Sequence, residues 1–157
     1  MDFVKYIETG KFKKINVVGC PGSGKSTIAK IIAEKTGYPL FDLDDFLYKK
    51  GCKRKSHIET LGEIDKIMLN DCFIIDGTYT SSFDYRLQKL DLVILIDKPT
   101  IICIYQFLKR LLFVKNLKCG ERLTKKTFKL LFIFNWKNRK ELKRLTIEKN
   151  IRFLSLN

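Results

Sequence analysis

The chain has 157 residues, 45% of them hydrophobic, which fits one domain with a core of its own. No apolar run reaches the ~18 residues that a membrane-spanning helix needs. The formal charge of +14 is unevenly placed: residues 1–97 carry 15 Lys/Arg against 14 Asp/Glu, whereas residues 98–157 carry 16 against 3. That asymmetry points to an acidic partner, whether nucleotide, nucleic acid or anionic membrane surface. The five cysteines (Cys20, Cys52, Cys72, Cys103 and Cys119) show no C-x-x-C or metal-type spacing, and their odd number argues against a disulfide framework. They read as inert thiols of a protein expected in the cytoplasm. The first residues, Met1 to Tyr6, lack the apolar stretch of a secretory leader.

In chain order, residues 1–14 form a lead-in with no clear periodicity. Ile15-Asn16-Val17-Val18 reads as a buried strand, and Thr27 to Glu34 as a helix with Ile28, Ile31, Ile32 and Lys35 at helical spacing. Gly37 and Pro39 then stop the helix. Pro39 to Asp45 reads as a short strand ending in three carboxylates, with Asp42 and Asp44 two apart on one face. A basic loop, 49–57, leads to a helix over Ser56–Asn70, with Ile58, Leu61, Ile64, Ile67 and Met68 on one side and His57 at its entry. Cys72 to Asp76 is a buried strand ending in an acid, residues 80–90 a loop or short helix, and Leu92 to Asp97 another apolar strand. A helix over 100–115 carries a stripe of Ile101, Ile104, Tyr105, Leu108, Leu111 and Leu112. After a polar break at 116–126, an apolar stretch from Phe128 to Trp136 precedes a basic helix over 137–149 and a last strand from Ile151. Strands alternating with helices imply an α/β fold, with a mainly parallel sheet covered on both faces.

Between the first strand and its helix lies Gly19-Cys20-Pro21-Gly22-Ser23-Gly24-Lys25-Ser26-Thr27. The pattern G-x-x-x-x-G-K-S in that setting is a phosphate-binding loop. Its glycines let the backbone turn N–H groups toward one point, and the new helix adds its positive end. Lys25 would reach the β- and γ-phosphates of a nucleotide, and the Ser26 hydroxyl would ligate Mg²⁺. Asp76, at the end of an apolar strand and before Gly77, has the placement of an acid that orients Mg²⁺. Asp42 is a second candidate for the metal's water, and Asp44 for orienting or deprotonating an acceptor. Phosphoryl transfer also needs fixed cations, for which Arg86, Arg110 and Arg122 are the candidates. Tyr79 is placed to line an acceptor pocket or to pack in the core.

Together with that loop, Phe-Asp-Leu-Asp (41–44), Ile-Ile-Asp-Gly-Thr-Tyr (74–79), Arg86 and Leu-Ile-Asp-Lys-Pro (95–99) occur in an order that resembles the adenylate-kinase-like P-loop proteins known as DNA topology modulation proteins. Phe134-Asn135-Trp136, followed by Lys137, Arg139 and Lys140, resembles the same group's aromatic and basic segment. The resemblance covers most of residues 15–145. It implies a nucleoside-monophosphate-kinase-like three-layer sandwich with strand order 2-3-1-4-5, Mg-ATP binding and a kinase-type phosphotransferase activity. The chain departs from the group at Thr100 and Gln106, where arginines are usual. It also lacks the Arg-Pro-Asp lid segment, so residues 115–127 look like a shortened lid on a single domain spanning 1–157. The expected activity is therefore transfer of the ATP γ-phosphoryl to a nucleotide or other small-molecule acceptor. The alternative is a nucleotide-switched nucleic-acid-binding protein whose basic final third contacts phosphates.

Overall fold

Runs of Ile, Val, Leu and Phe without intervening polar residues suit strands buried on both faces, and they form the centre of the molecule. The computed structural model describes residues 3–49, 52–113 and 139–156. Within them, β1 (Lys14–Gly19), β2 (Leu40–Asp42), β3 (Phe73–Asp76), β4 (Leu92–Ile96) and β5 (Arg152–Leu156) make one sheet in the order β2-β3-β1-β4-β5. Every strand pair is parallel. Sheet type and strand order are those expected. The described helices are α1 (Phe3–Thr9), α2 (Lys25–Thr36), α3 (Leu43–Leu47), α4 (His57–Met68), α5 (Phe83–Leu87), α6 (Thr100–Phe113) and α7 (Arg139–Glu148).

Alternation along the strands divides the core in two. Ile15, Val17, Ile74, Leu92, Ile94 and Ile96 face α1 and α2, joined by Ala29 and Ile32. Val18, Phe73, Ile75, Val93 and Leu95 face the opposite layer, where Leu43, Ile64, Phe83, Cys103, Phe107 and Leu142 bring in α3 to α7. Local signals end the helices. Gly37 (φ +71°) closes α2 through a bond from its N–H to Ala33 O at 2.8 Å. Ser56 and Glu59 form a reciprocal capping box at the start of α4.

Several expectations are corrected. The lead-in is partly helical, because Val4 and Ile7 are buried one turn apart. Strand β2 ends at Asp42, so Asp44 does not share a strand face with it. The Asp42 side chain accepts a hydrogen bond from the Asp44 N–H at 2.9 Å, capping α3 and turning the chain into a helix there. On α6 the sheet-facing side is Cys103, Ile104, Phe107 and Leu111, while Ile101, Tyr105, Leu108 and Leu112 are exposed. The helix is apolar on most sides, so periodicity alone could not orient it. Ile58 is likewise exposed on α4, where Thr60 takes a core position. Cys20, Cys72 and Cys103 are free thiols, but Cys52 is disulfide-bonded; an odd count excludes complete pairing, not a single bridge. The polar break at 116–126, the lid at 115–127 and the aromatic segment 134–136 lie outside the described residues.

Just beyond β4, Asp97 anchors the last helix and strand. Its N–H donates to Leu156 O at 2.6 Å, and its carboxylate, 4% exposed, accepts from the Arg139 guanidinium. Lys143 Nζ lies 3.7 Å from the same oxygen, and Ser155 Oγ donates to it at 3.4 Å. Replacing Asp97 by Ala should lower the unfolding free energy by about 1–3 kcal/mol, the usual cost of losing hydrogen bonds to a charged group. A urea transition midpoint unchanged from wild type would exclude this anchoring role.

Candidate functional site

The parallel sheet sends β1, β2 and β3 out along one edge, and the candidate residues gather there. Strand β1 delivers the chain at Gly19. The Ser23 N–H donates to Cys20 O at 3.0 Å, closing the first turn of the loop. Gly22 (φ +81°) and Gly24 (φ +91°) then adopt left-handed backbone that other residues resist. Gly24 is the residue before α2, and its carbonyl accepts from Thr27 N at 3.1 Å and Ile28 N at 3.2 Å. It brings no side-chain cap. The amides of Gly24, Lys25 and Ser26 consequently find no acceptor among the described residues. Orphan amides at a helix start, beside a lysine, are the donor set a phosphate accepts from.

The loop is held from two sides. At Gly22 a Cβ would lie 2.3 Å from Cys103 O, so the loop rests directly on the α6 backbone. From β3, the Thr78 hydroxyl accepts from Gly19 N at 3.2 Å and donates to Gly19 O at 3.0 Å. Thr78 was legible only as part of the Asp-Gly-Thr-Tyr segment. A hydroxyl clasping a distant backbone leaves no periodic trace in sequence.

Register brings the two metal candidates together. Asp42 pairs with Asp76 across β2 and β3, and Asp76 pairs with Val17 of β1. By strand parity both carboxylates lie on the α2 side, with Leu40 and Ile74. Asp76 is 4% exposed. Ser26 begins α2 on that side. A hydroxyl and carboxylate oxygens are hard donors that suit Mg²⁺. Among the described residues no three His, Cys, Asp or Glu side chains converge, so the set lacks a closed protein cage and fits an ion completed by water and phosphate oxygens. Asp44 follows in the first turn of α3, half-buried, with its N–H donating to the Asp42 carboxylate at 2.9 Å.

The expected arginines are dispersed. Arg86, expected beside the transferred group, is fully buried. Its Nη1 donates to Ser82 Oγ at 2.9 Å and its Nη2 to Thr78 O at 2.8 Å, so it braces the segment after β3. Burial pushes its guanidinium down to about 9, which leaves it charged at neutral pH. Arg110 is half-buried in the last turn of α6, one turn beyond Phe107 on the face that carries the loop. Arg122 lies outside the described residues. Near α4, Tyr79 Oη and His57 Nδ1 are 3.3 Å apart, and the Arg54 guanidinium lies 5.5 Å from the Tyr79 ring centre. In the basic final third, Arg139 and Lys143 are occupied by Asp97, and Lys149 pairs with Asp84 at 3.2 Å. No described helix is long and apolar enough to cross a membrane.

With this geometry in hand, comparison with known proteins is specific about the fold. Residues 18–84 match a family model described as "AAA domain". A protein of Pyrococcus abyssi named "Putative adenylate kinase" is 49% identical over 53 residues, 34% of this chain and 29% of that protein. A "Shikimate kinase" of a Sulfurihydrogenibium species is 46% identical over 52 residues, 32% of this chain and 31% of the other. The match thus spans under a third of the length of these relatives. Among solved structures, shikimate kinase from Acinetobacter baumannii in complex with shikimate superposes with a TM-score of 0.61 at 14% identity, covering 98% of this chain and 87% of that one. Deoxyadenosine kinase from M. mycoides with dCMP and dCDP bound gives 0.57 at 20% identity, covering 92% and 89%. This is the fold of the small P-loop kinases.

Cys20, inside the phosphate loop, is not set up as a nucleophile. Burial, followed by the neighbouring Cys103 thiol, pushes it from 9.0 up to about 12. At pH 8 its thiolate fraction falls by about a thousandfold relative to an exposed thiol. Iodoacetamide should therefore label Cys20 of the native protein at least that much more slowly than Cys20 of the urea-unfolded chain, read by peptide mass spectrometry. Equal rates in the two states would contradict the buried, neutral thiol.

Proposed function

We propose that this protein binds Mg-ATP in the Gly19–Thr27 loop and transfers the γ-phosphoryl to a nucleotide or another small hydroxyl- or phosphate-bearing acceptor. The observation that carries the reading is the convergence of the orphan amides of Gly24, Lys25 and Ser26, the Lys25 ammonium and the Asp42–Asp76 pair at one sheet edge. The two halves of this arrangement suit a phosphate chain and its metal. The likeness to shikimate kinase and deoxyadenosine kinase supports the reaction class and leaves the acceptor open.

In this reading the loop amides and Lys25 hold the β- and γ-phosphates and favour the charge that spreads over the transferring group. Ser26, Asp76 and Asp42 would hold Mg²⁺, which supplies charge neutralisation across the β- and γ-phosphates. Asp44, in the first turn of α3, orients the acceptor oxygen and takes its proton as the new P–O bond forms and ADP departs. Arg110 reaches the transferred group from α6. Arg122, outside the described residues, is kept as the third candidate cation. Arg86 acts indirectly, by holding Thr78 against Gly19. Membership of the DNA topology modulation group is the finer form of this proposal, and it rests on the Phe-Asp-Leu-Asp, Asp-Gly-Thr-Tyr and Asp-Lys-Pro segments.

Lys25→Ala should abolish Mg-ATP binding, seen as loss of ligand-induced thermal stabilisation. Stabilisation equal to wild type would sink the assignment. An ATP-consumption screen over nucleosides, nucleoside monophosphates and hydroxylated metabolites should find an acceptor that raises turnover. With that acceptor, Asp44→Asn should lower kcat by about 10²–10⁴-fold with little change in Mg-ATP affinity. An unchanged kcat would remove Asp44 from the mechanism.

A further inference from the structure

One cation at the loop was not among the expected site residues. Lys98 follows Asp97 at the exit of β4. Continuing the alternation of that strand, Leu95 and Asp97 belong to the α7 side and Ile96 and Lys98 to the α2 side. The placement bears this out. Among the described residues, a Cβ built on Gly24 would find nothing within 4 Å except Lys98 Nζ, at 3.5 Å. The side of the loop left open by Gly24, where the orphan amides begin, is therefore faced by this ammonium. Lys98 and Lys25 both oppose the upward push that burial gives the Cys103 thiol.

Neither ammonium has a carboxylate partner among the described residues. For Lys98 this is notable, because Asp97 is its immediate neighbour. Asp97, however, points the other way and is taken up by Arg139, Lys143 and Ser155. The Lys98 backbone is anchored on both sides. The Asp97 N–H is bonded to Leu156 O at 2.6 Å, Pro99 fixes the following φ, and Lys98 O accepts from Cys103 Sγ at 3.8 Å. A half-buried, anchored lysine with no carboxylate partner among the described residues, beside unsatisfied amides, has the makings of an anion contact.

We propose that Lys98 is a second phosphate-contacting lysine, gripping the donor's phosphate chain from the Gly24 side of the loop, opposite the sheet-edge carboxylates. This rests on the nucleotide reading above and adds to it a residue and a ligand class: polyphosphates with at least two adjacent phosphoryl groups. Two ammonium groups at one loop favour a chain of negative charge over a single phosphate. Lys98 donates hydrogen bonds, and no bond is made or broken at its nitrogen.

The test is calorimetric titration of wild type, Lys25→Ala, Lys98→Met and Lys98→Arg with Mg-ATP and, separately, with inorganic pyrophosphate and inorganic phosphate. Lys98→Met keeps the length of the stem and removes the charge. It should weaken Mg-ATP and pyrophosphate by about ten- to hundredfold, as expected for a lost charge-assisted hydrogen bond, and single phosphate much less. Lys98→Arg should recover most of the loss, and the ligand-free melting temperatures of all variants should match, which a packing role would not give. If Lys98→Met binds Mg-ATP within twofold of wild type while Lys25→Ala does not bind, the Lys98 contact is overturned and the nucleotide site stands. Should wild type bind pyrophosphate but not Mg-ATP, the nucleotide reading fails, and the Lys98 contact is then decided by the pyrophosphate titration alone. Wild type binding neither anion overturns both.

Discussion

The phosphate loop depends on a contact between two backbones. At Gly22 the chain approaches α6 so closely that a methyl group would sit 2.3 Å from Cys103 O and 3.0 Å from Phe107 N. Glycine is required there twice over, for space and for its φ of +81°. The contact fixes the distance between β1 and the layer of α6, and it holds the loop just before the amides that have no acceptor among the described residues. Because those amides are oriented before any anion arrives, binding does not bear the cost of ordering them. The small, buried Cys103 side chain belongs to the same constraint, since it lets the first turns of α6 lie flat against the loop.

From that fixed loop, strand parity distributes the charged groups. Successive residues leaving β4 go to opposite layers, so Asp97 secures α7 and β5 while Lys98 faces α2. Across β2 and β3, register puts Asp42 and Asp76 side by side on the α2 side. Carboxylates and ammonium groups thus arrive from different strands with no pairing between Asp97 and Lys98 to neutralise the site. The disposition follows from a sheet whose strands all point one way; an antiparallel partner would carry its end residues to the other edge.

What sequence reasoning could see divides along physical lines. Strands buried on both faces announce themselves as unbroken apolar runs, and the phosphate loop needs so particular a set of residues that its strand–loop–helix setting followed directly. Strand order came through the resemblance. The orientation of α6 was not legible, because a helix that is apolar on most sides has no preferred face until it meets the loop. Asp42 and Asp44, two apart, look like strand periodicity, but the side chain of Asp42, by capping α3, overrides that pattern two residues early. Arg86 and Thr78 were visible as residues, but their partnership is a tertiary fact that spacing does not encode.

That partnership bears on how the site is built. A fully buried guanidinium is costly, and the depression of Arg86 to about 9 reflects that cost. The charge is tolerated because Thr78 O and Ser82 Oγ accept from it at 2.8 and 2.9 Å. Thr78 in turn holds both the N–H and the carbonyl of Gly19 through its hydroxyl. Asn16 adds a parallel tie, donating from Nδ2 to Ile75 O at 2.9 Å and Gly77 O at 3.1 Å. Gly77 (φ +138°) leaves no room for a side chain, since a Cβ would meet that of Leu43 at 2.8 Å. Arg86, Thr78 and Asn16 therefore weld the exit of β3, which carries Asp76, to the exit of β1, which carries the phosphate loop. A buried arginine that never touches the crevice can still set the spacing between the metal-side acid and the loop amides, the distance on which any phosphate–metal chemistry at this edge depends.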